Sequence, residues 1–168
     1  MKFKDKVVLV TGGGTGLGRA MGLQFAREGA AVIVNYSKSK EHAKEVVDRI
    51  NAEGGQAADI QADVARDQQA RQLIEKTVAR FGRLDILINN AGWTRFIPHN
   101  ELEELSEEVL ENTWSVIVKA PIYCTRAAVP HLRKTGAGSV VNITSSAAYT
   151  AMGSSVIYCA AKAALASI

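Results

Sequence analysis

An α/β fold, with a doubly wound parallel sheet held between two layers of helices, is predicted by three features of the 168-residue sequence. Short apolar runs alternate with segments of helical periodicity along the whole chain. The first run, Val7 to Val10, is unbroken by any polar residue, as in a strand buried on both faces. Glycines follow it at once and a helical pattern follows them, an order that implies right-handed crossovers and parallel strands.

Each element has its own signal. The first helix carries Leu17, Ala20, Met21 and Phe25 at helical spacing, and Gly29 stands where a C-terminal cap belongs. Ala30 to Asn35 is the second strand. Ser39 to Glu53 has Ala43, Val46, Val47 and Ile50 on one face and ends at Gly54-Gly55. Ala57 to Ile60 is a weaker third strand. Asp67 is the predicted N-cap of a helix with the apolar face Ala70, Ile74, Val78 and Phe81, closed by Gly82. Leu84 to Ile88 is the fourth strand. Between Glu101 and Glu111, carboxylates interleave with Leu102, Leu105, Val109 and Leu110, which predicts the solvated face of one helix or two short ones rather than an acid–base pair. The helical pattern resumes from Thr113 to Leu132, with Pro121 near a kink and Pro130 near its end. Ser139 to Ile143 is the fifth strand, and a last helix starts at Ile157.

At 47% hydrophobic the chain buries a real core, so residues 1–168 are expected to form a single domain. The formal charge of +3 is spread along the sequence, without a basic cluster or interleaved aromatics, which argues against nucleic acid. Met1 to Asp5 carries charge straight into the first strand and leaves no apolar stretch for a signal peptide or a membrane span, so a cytoplasmic protein is expected. Cys124 and Cys159 lie in apolar segments far apart and read as buried hydrophobes; no Cys/His spacing points to a metal.

Strand, glycine turn and helix together frame a phosphate, because N–H groups at the helix start point at it and glycines let it approach. The dinucleotide pattern G-x-G-x-x-G fails, since Leu17, Thr15 and Arg19 stand where glycine is required. A P-loop fails too. Gly13 and Gly18 have its separation, but Arg19-Ala20 replaces the Lys-Ser/Thr that reaches phosphate and Mg²⁺. What is present is Thr11-Gly12-x-x-x-Gly16-x-Gly18. In a doubly wound sheet ligands bind beyond the carboxyl ends of the strands, which marks Thr11 to Gly18, Asn35 to Lys38, Asp63-Val64, Asn89 to Gly92 and Thr144 to Ser146.

Three further motifs stand in order: Asn89-Asn90-Ala91-Gly92 after the fourth strand, Ser145 after the fifth, and Tyr158-Cys159-Ala160-Ala161-Lys162 thirteen residues beyond that serine. With the glycine segment, they resemble the short-chain dehydrogenase/reductase family over the whole chain, leaning toward its 3-oxoacyl-carrier-protein reductase and glucose 1-dehydrogenase members. The resemblance implies a Rossmann-like sheet, NAD(P)(H)-dependent hydride transfer on a small carbonyl/alcohol substrate, and a homo-oligomer, dimer or tetramer. It implies that Tyr158 exchanges a proton with the substrate oxygen, Lys162 also holds the nicotinamide ribose, and Ser145 hydrogen-bonds the carbonyl. Cofactor contacts are then expected from Gly12, Gly14, Thr15, Gly16, Leu17 and Gly18, from Asn35, Tyr36 and Ser37, from Asp63 and Val64, and from Asn90, Ala91 and Gly92, with Tyr158 and Lys162. The chemistry agrees independently. A free tyrosine ionises near pH 10 and is a poor base at neutrality, and a lysine four residues along one helix face supplies the ammonium that favours phenolate.

Two departures qualify the resemblance. The family's fourth catalytic residue, an asparagine that anchors a proton-relay water, aligns with Ile117, and Asn112 lies five residues too early. The sequence also stops at Ile168, where the resembling family continues with another strand, a substrate-covering loop and a closing strand, so a C-terminal part is expected to be missing. A non-catalytic nucleotide-binding or assembly subunit is therefore the alternative. For the cofactor, NAD-binding folds place an acid about twenty residues past the glycines to grip the ribose 2′-OH, whereas Asn35 stands here, with Tyr36-Ser37, Lys38 and Lys40 next to it. That favours NADP(H) over NAD(H), although Thr15 occupies a position that is often basic in NADP-dependent members of the resembling family.

Overall fold

The computed structural model describes residues 1–168. Five parallel strands, β1 (Val7–Val10), β2 (Ala31–Tyr36), β3 (Gln56–Gln61), β4 (Ile86–Asn89) and β5 (Ser139–Asn142), form one sheet in the order β3-β2-β1-β4-β5. The chain builds outward from β1 through β2 to β3, then returns to place β4 on the other side of β1. The order therefore reverses beside β1, and the glycine segment lies at that switch point.

Alternation along the strands explains why the apolar runs are unbroken. Val8 and Val10 point to one face with Val32, Val34 and Ile88, where α1 (Gly16–Arg27) and α2 (Lys40–Ala52) cover them with Met21, Val46 and Ile50. Leu9, Ile33 and Leu87 point to the other face and meet Leu73, Ile74, Cys124 and Ala128 of α3 (Asp67–Phe81) and α5 (Ala120–Lys134). Both cysteines are buried and unpaired.

Several boundaries differ from expectation. Arg66 occupies the N-cap of α3 without a side-chain cap, and Asp67 is the first helical residue. Its carboxylate accepts instead from Arg71 and from Arg126 of α5, so it ties two helices together. Leu84 and Asp85 precede β4 rather than opening it. The long helix is broken into α4 (Glu107–Trp114), a π-helical turn Ser115–Lys119, and α5. Pro121 accounts for the break, because its nitrogen donates nothing and its ring would crowd the carbonyl four residues back, that of Ile117. Pro130 lies within α5, not at its end. A short helix α6 (Ala147–Thr150) precedes the last one, α7 (Val156–Ala166).

One buried charge pins the opposite, amino-terminal end of the sheet. Asp85, 1% exposed, accepts from the Val7 N–H at 2.9 Å, from Arg83 at 2.6 and 2.8 Å, and from Lys6 at 3.4 Å. Burial pushes its carboxyl up, but the Arg83 hydrogen bonds, the Val7 N–H, the Arg83 charge and the Lys6 hydrogen bond more than offset this and hold it below the usual carboxylate range. A carboxyl depressed on folding contributes stability above its unfolded pKa and loses it as pH falls through the folded one. Asp85→Ala is expected to cost about 3 kcal/mol at neutral pH, the low end for a broken buried pair because Arg83 and Lys6 reach solvent. Denaturant unfolding of both proteins checks this, and the gap should narrow below about pH 4. An unchanged gap at acid pH would show that packing, not charge, sets it.

Candidate active site

The carboxyl edge of the sheet gathers the residues that the sequence marks. Thr11, directly after β1, is the hub: its Oγ1 donates to the Ile88 carbonyl and accepts from the N–H groups of Asn90 and Ala91 at 2.9 and 3.0 Å. Asn90 returns the tie, donating from Nδ2 to the Thr11 and Gly12 carbonyls at 2.9 and 3.1 Å. Gly12 and Gly16 have φ of +61° and +51°, the left-handed region that glycine enters without penalty. Gly18 is required for space. A Cβ there would lie 2.5 Å from the Gly12 carbonyl oxygen and 2.6 Å from Asn90 Nδ2.

These turns deliver the chain to the start of α1 with Thr15, Gly16 and Leu17 exposed and Gly14 packed on the first turn of α2. Thr15 is the N-cap but makes no side-chain cap, and the first turn holds no acid. The first N–H groups of α1 and its positive dipole end are left free for an anion. A glycine cradle and an uncompensated helix start fit the pyrophosphate of a dinucleotide.

Asn35, expected to meet a ribose, is a brace beneath this loop. Its amide is 1% exposed, donates to the carbonyls of Tyr36, Ile60 and Ala62, and accepts from the Gly12 N–H at 3.3 Å. A buried amide with every donor engaged has nothing left for a ligand. Tyr36 is buried at the end of β2, and Ser37 and Lys38 are the exposed groups that follow. Asp63 is half-buried after β3, where its Oδ1 accepts from the Ala65 N–H and its own N–H donates to Gln69; Val64 is buried beside it. Asn90 likewise spends its side chain on the loop, leaving the Ala91–Gly92 backbone to line the edge. Asn89 joins β4 to β5 and α5 through Asn142 and Thr125.

Opposite the glycine loop, α7 is fastened to the end of β5 by two bonds. Lys162 Nζ donates to the Ile143 carbonyl at 2.6 Å, and the Thr144 hydroxyl donates to the Lys162 carbonyl at 3.0 Å. Ser155, fully buried, caps the helix by accepting the Tyr158 N–H. Tyr158 is half-buried one turn before Lys162, whose Nζ lies 5.8 Å from the phenol ring centre. Burial pushes the Lys162 pKa below the ordinary lysine value. Ser145, half-buried, follows β5 and accepts from the Ala147 N–H; it makes no direct hydrogen bond to Tyr158.

Ile117 lies in the π turn, fully buried with Val118, Ala161 and Leu165 and packed against Tyr158. Sequence reading located this departure but not the widened turn that carries it. The Thr11 hub and the Asn35 brace were also missed, since both join residues more than twenty positions apart.

A doubly wound sheet with a glycine cradle at its switch point and a Tyr/Lys helix across the same edge defines a nucleotide-binding α/β protein. The short chain dehydrogenase family model matches residues 6–168, and the chain belongs to that family. It is 44% identical over 165 residues to an uncharacterized oxidoreductase of Thermotoga maritima, and 39% identical over 165 residues to a hydroxynaphthalene reductase of Aspergillus fumigatus, covering 98% of this chain in each case. It spans 63% and 59% of the length of those relatives. A short chain dehydrogenase of Burkholderia cenocepacia, solved in complex with NADP, superposes with a TM-score of 0.91 at 37% identity over 98% of this chain and 66% of its own. No helix is long and apolar enough to cross a membrane.

Proposed function

We propose that this chain binds a nicotinamide dinucleotide and serves an oxidoreductase that interconverts a carbonyl and an alcohol. The observation that carries the reading is the fastening of Tyr158 and Lys162 to the end of β5, beside Ser145 and across from the glycine cradle. The cradle, the free start of α1 and the edge at Ala91–Gly92 would hold the dinucleotide. When bound, the nicotinamide supplies or accepts the hydride. In the reducing direction Tyr158 gives its phenolic proton to the substrate oxygen, Ser145 donates a hydrogen bond to that oxygen, and the Lys162 ammonium stabilises the phenolate left behind. The non-catalytic alternative, raised by Ile117 and by the early end of the sequence, is not favoured by relatives named as oxidoreductase and reductase. The reading carries with it a cytoplasmic location, where the cofactor is available. Single-turnover hydride transfer in the intact protein tests it: binding of cofactor without transfer to any ketone would sink it.

NADP(H) is the favoured cofactor. No carboxylate stands at the end of β2 to repel a 2′-phosphate, and Ser37 and Lys38 are exposed there with donors to offer. The NADP complex of the Burkholderia relative agrees. One charge-assisted hydrogen bond corresponds to about tenfold or more, so NADPH is expected to bind at least about tenfold tighter than NADH in a side-by-side titration. Tighter NADH binding would reverse the assignment.

A further inference from the structure

Lys162 is the one formally charged side chain between Ser139 and Ile168, and it is 5% exposed. No carboxylate pairs with it. On the segment packed across α7, Ile117 and Val118 are the buried contacts, and the charged groups on either side of them, Glu111 and Lys119, bond to each other near the surface. Glu107 and Glu108 of α4 and Arg95 of the loop after β4 are exposed. Within α7 the other titratable groups are Tyr158 and the buried Cys159. Burial alone therefore pushes the Lys162 pKa down, and the group that accepts from its ammonium is a neutral one, the Ile143 carbonyl at 2.6 Å.

That carbonyl is fixed from both sides. The Ile143 N–H donates to the Asn89 carbonyl at 2.9 Å, which extends the pairing of β5 with β4 by one residue. The next residue, Thr144, donates from its hydroxyl to the main-chain carbonyl of Lys162 at 3.0 Å. The two bonds between these segments run in opposite senses, so the lysine side chain closes a ring. Its main-chain end is held by Thr144 and its Nζ by Ile143, one peptide bond away. A lysine ammonium rides on a flexible four-carbon stem and keeps one direction only where both ends are held. Here the ring sets Nζ 5.8 Å from the centre of the Tyr158 ring.

We propose that Thr144 is a positioning residue, whose hydroxyl closes the ring that keeps the Lys162 ammonium against the Ile143 carbonyl and beside the Tyr158 phenol. The proposal rests on the carbonyl-reducing reading above. Without the hydroxyl the ring opens at its main-chain end, and the ammonium is free to leave for solvent. The charge that favours phenolate then moves away, which weakens Tyr158 as the base in alcohol oxidation. In the intact protein with saturating NADP⁺ and one secondary alcohol, Thr144→Val should move the acid limb of the kcat/KM profile up by about half a pH unit to one, a loss of about three- to tenfold at fixed pH on that limb. Thr144→Ser should restore the parent profile. Thr77→Val is the control, because it removes another hydroxyl-to-carbonyl bond, from Thr77 to Leu73 at 2.8 Å in α3. It should lower the unfolding midpoint and leave the profile unmoved. A Thr144→Val profile that coincides with the parent's, a Thr144→Ser shift as large as that of valine, or an equal shift in Thr77→Val would overturn the assignment.

A lysine side-chain NMR titration, with the Lys162 signal identified by its loss in Lys162→Ala, reads the ring without turnover. Lys162 should titrate below the other lysines in the parent and in Thr144→Ser, and move up toward them in Thr144→Val. That outcome without hydride transfer in any of the proteins would leave the ring standing and remove the reductase reading. A Lys162 signal that titrates with the other lysines in the parent would overturn the ring itself.

Discussion

Tyr158→Phe is expected to lower turnover of the intact protein by about 10² to 10⁴ while leaving cofactor affinity nearly unchanged. The ring makes the structural contacts, against Gly153 on one side and the Ile117 cluster on the other, and all of them survive in phenylalanine. Only the hydroxyl goes, so the loss isolates proton transfer from packing. Lys162→Ala should damage both quantities, because it removes the ammonium beside the phenol and the 2.6 Å bond that fastens α7 to Ile143. Steady-state turnover with one ketone and a fluorescence titration with NADPH provide the two readouts. A phenylalanine variant that kept most of its activity would show that Tyr158 does not handle the proton.

What the sequence made legible follows from what periodicity and spacing report. Val7 to Val10 announced a strand buried on both faces because alternate residues enter two different cores, with Leu9 on one side and Val8 and Val10 on the other. The glycine spacing located the cradle because φ above zero and a 2.5 Å clearance admit no side chain at Gly12 and Gly18. Partners distant in sequence were not legible. Asn35 reads as a free polar end to a strand until β3 and the glycine loop are brought around it, when its amide finds three carbonyls and one N–H. Asp85 reads as a charge within a strand, and only Lys6 and the Val7 N–H, 79 and 78 positions away, turn it into a clamp. The π turn was hidden for a different reason. Pro121 signals a disturbance, but whether a helix kinks, stops or widens depends on what packs beside it, here Ala161 and Leu165.

At Ile117 stability and the family's chemistry pull in opposite directions. Its side chain is fully buried in a cluster with Val118 and with Ala161 and Leu165 of α7, the first of which directly precedes Lys162. Ile117→Asn removes apolar burial and places an amide where no polar partner is in contact, so the intact protein should lose about 2 to 4 kcal/mol of stability. The Lys162 ammonium makes a single protein hydrogen bond, to Ile143, and has donors to spare for a water held by that amide. Turnover is therefore expected to rise, by no more than about 10², because a relay water acts one step away from the substrate. Thermal or denaturant unfolding gives the first quantity, and turnover of both proteins with one ketone at saturating NADPH gives the second. A variant that is less stable and no faster would mean that protons reach Tyr158 by another route, with Ile117 serving only to seal the apolar side of α7.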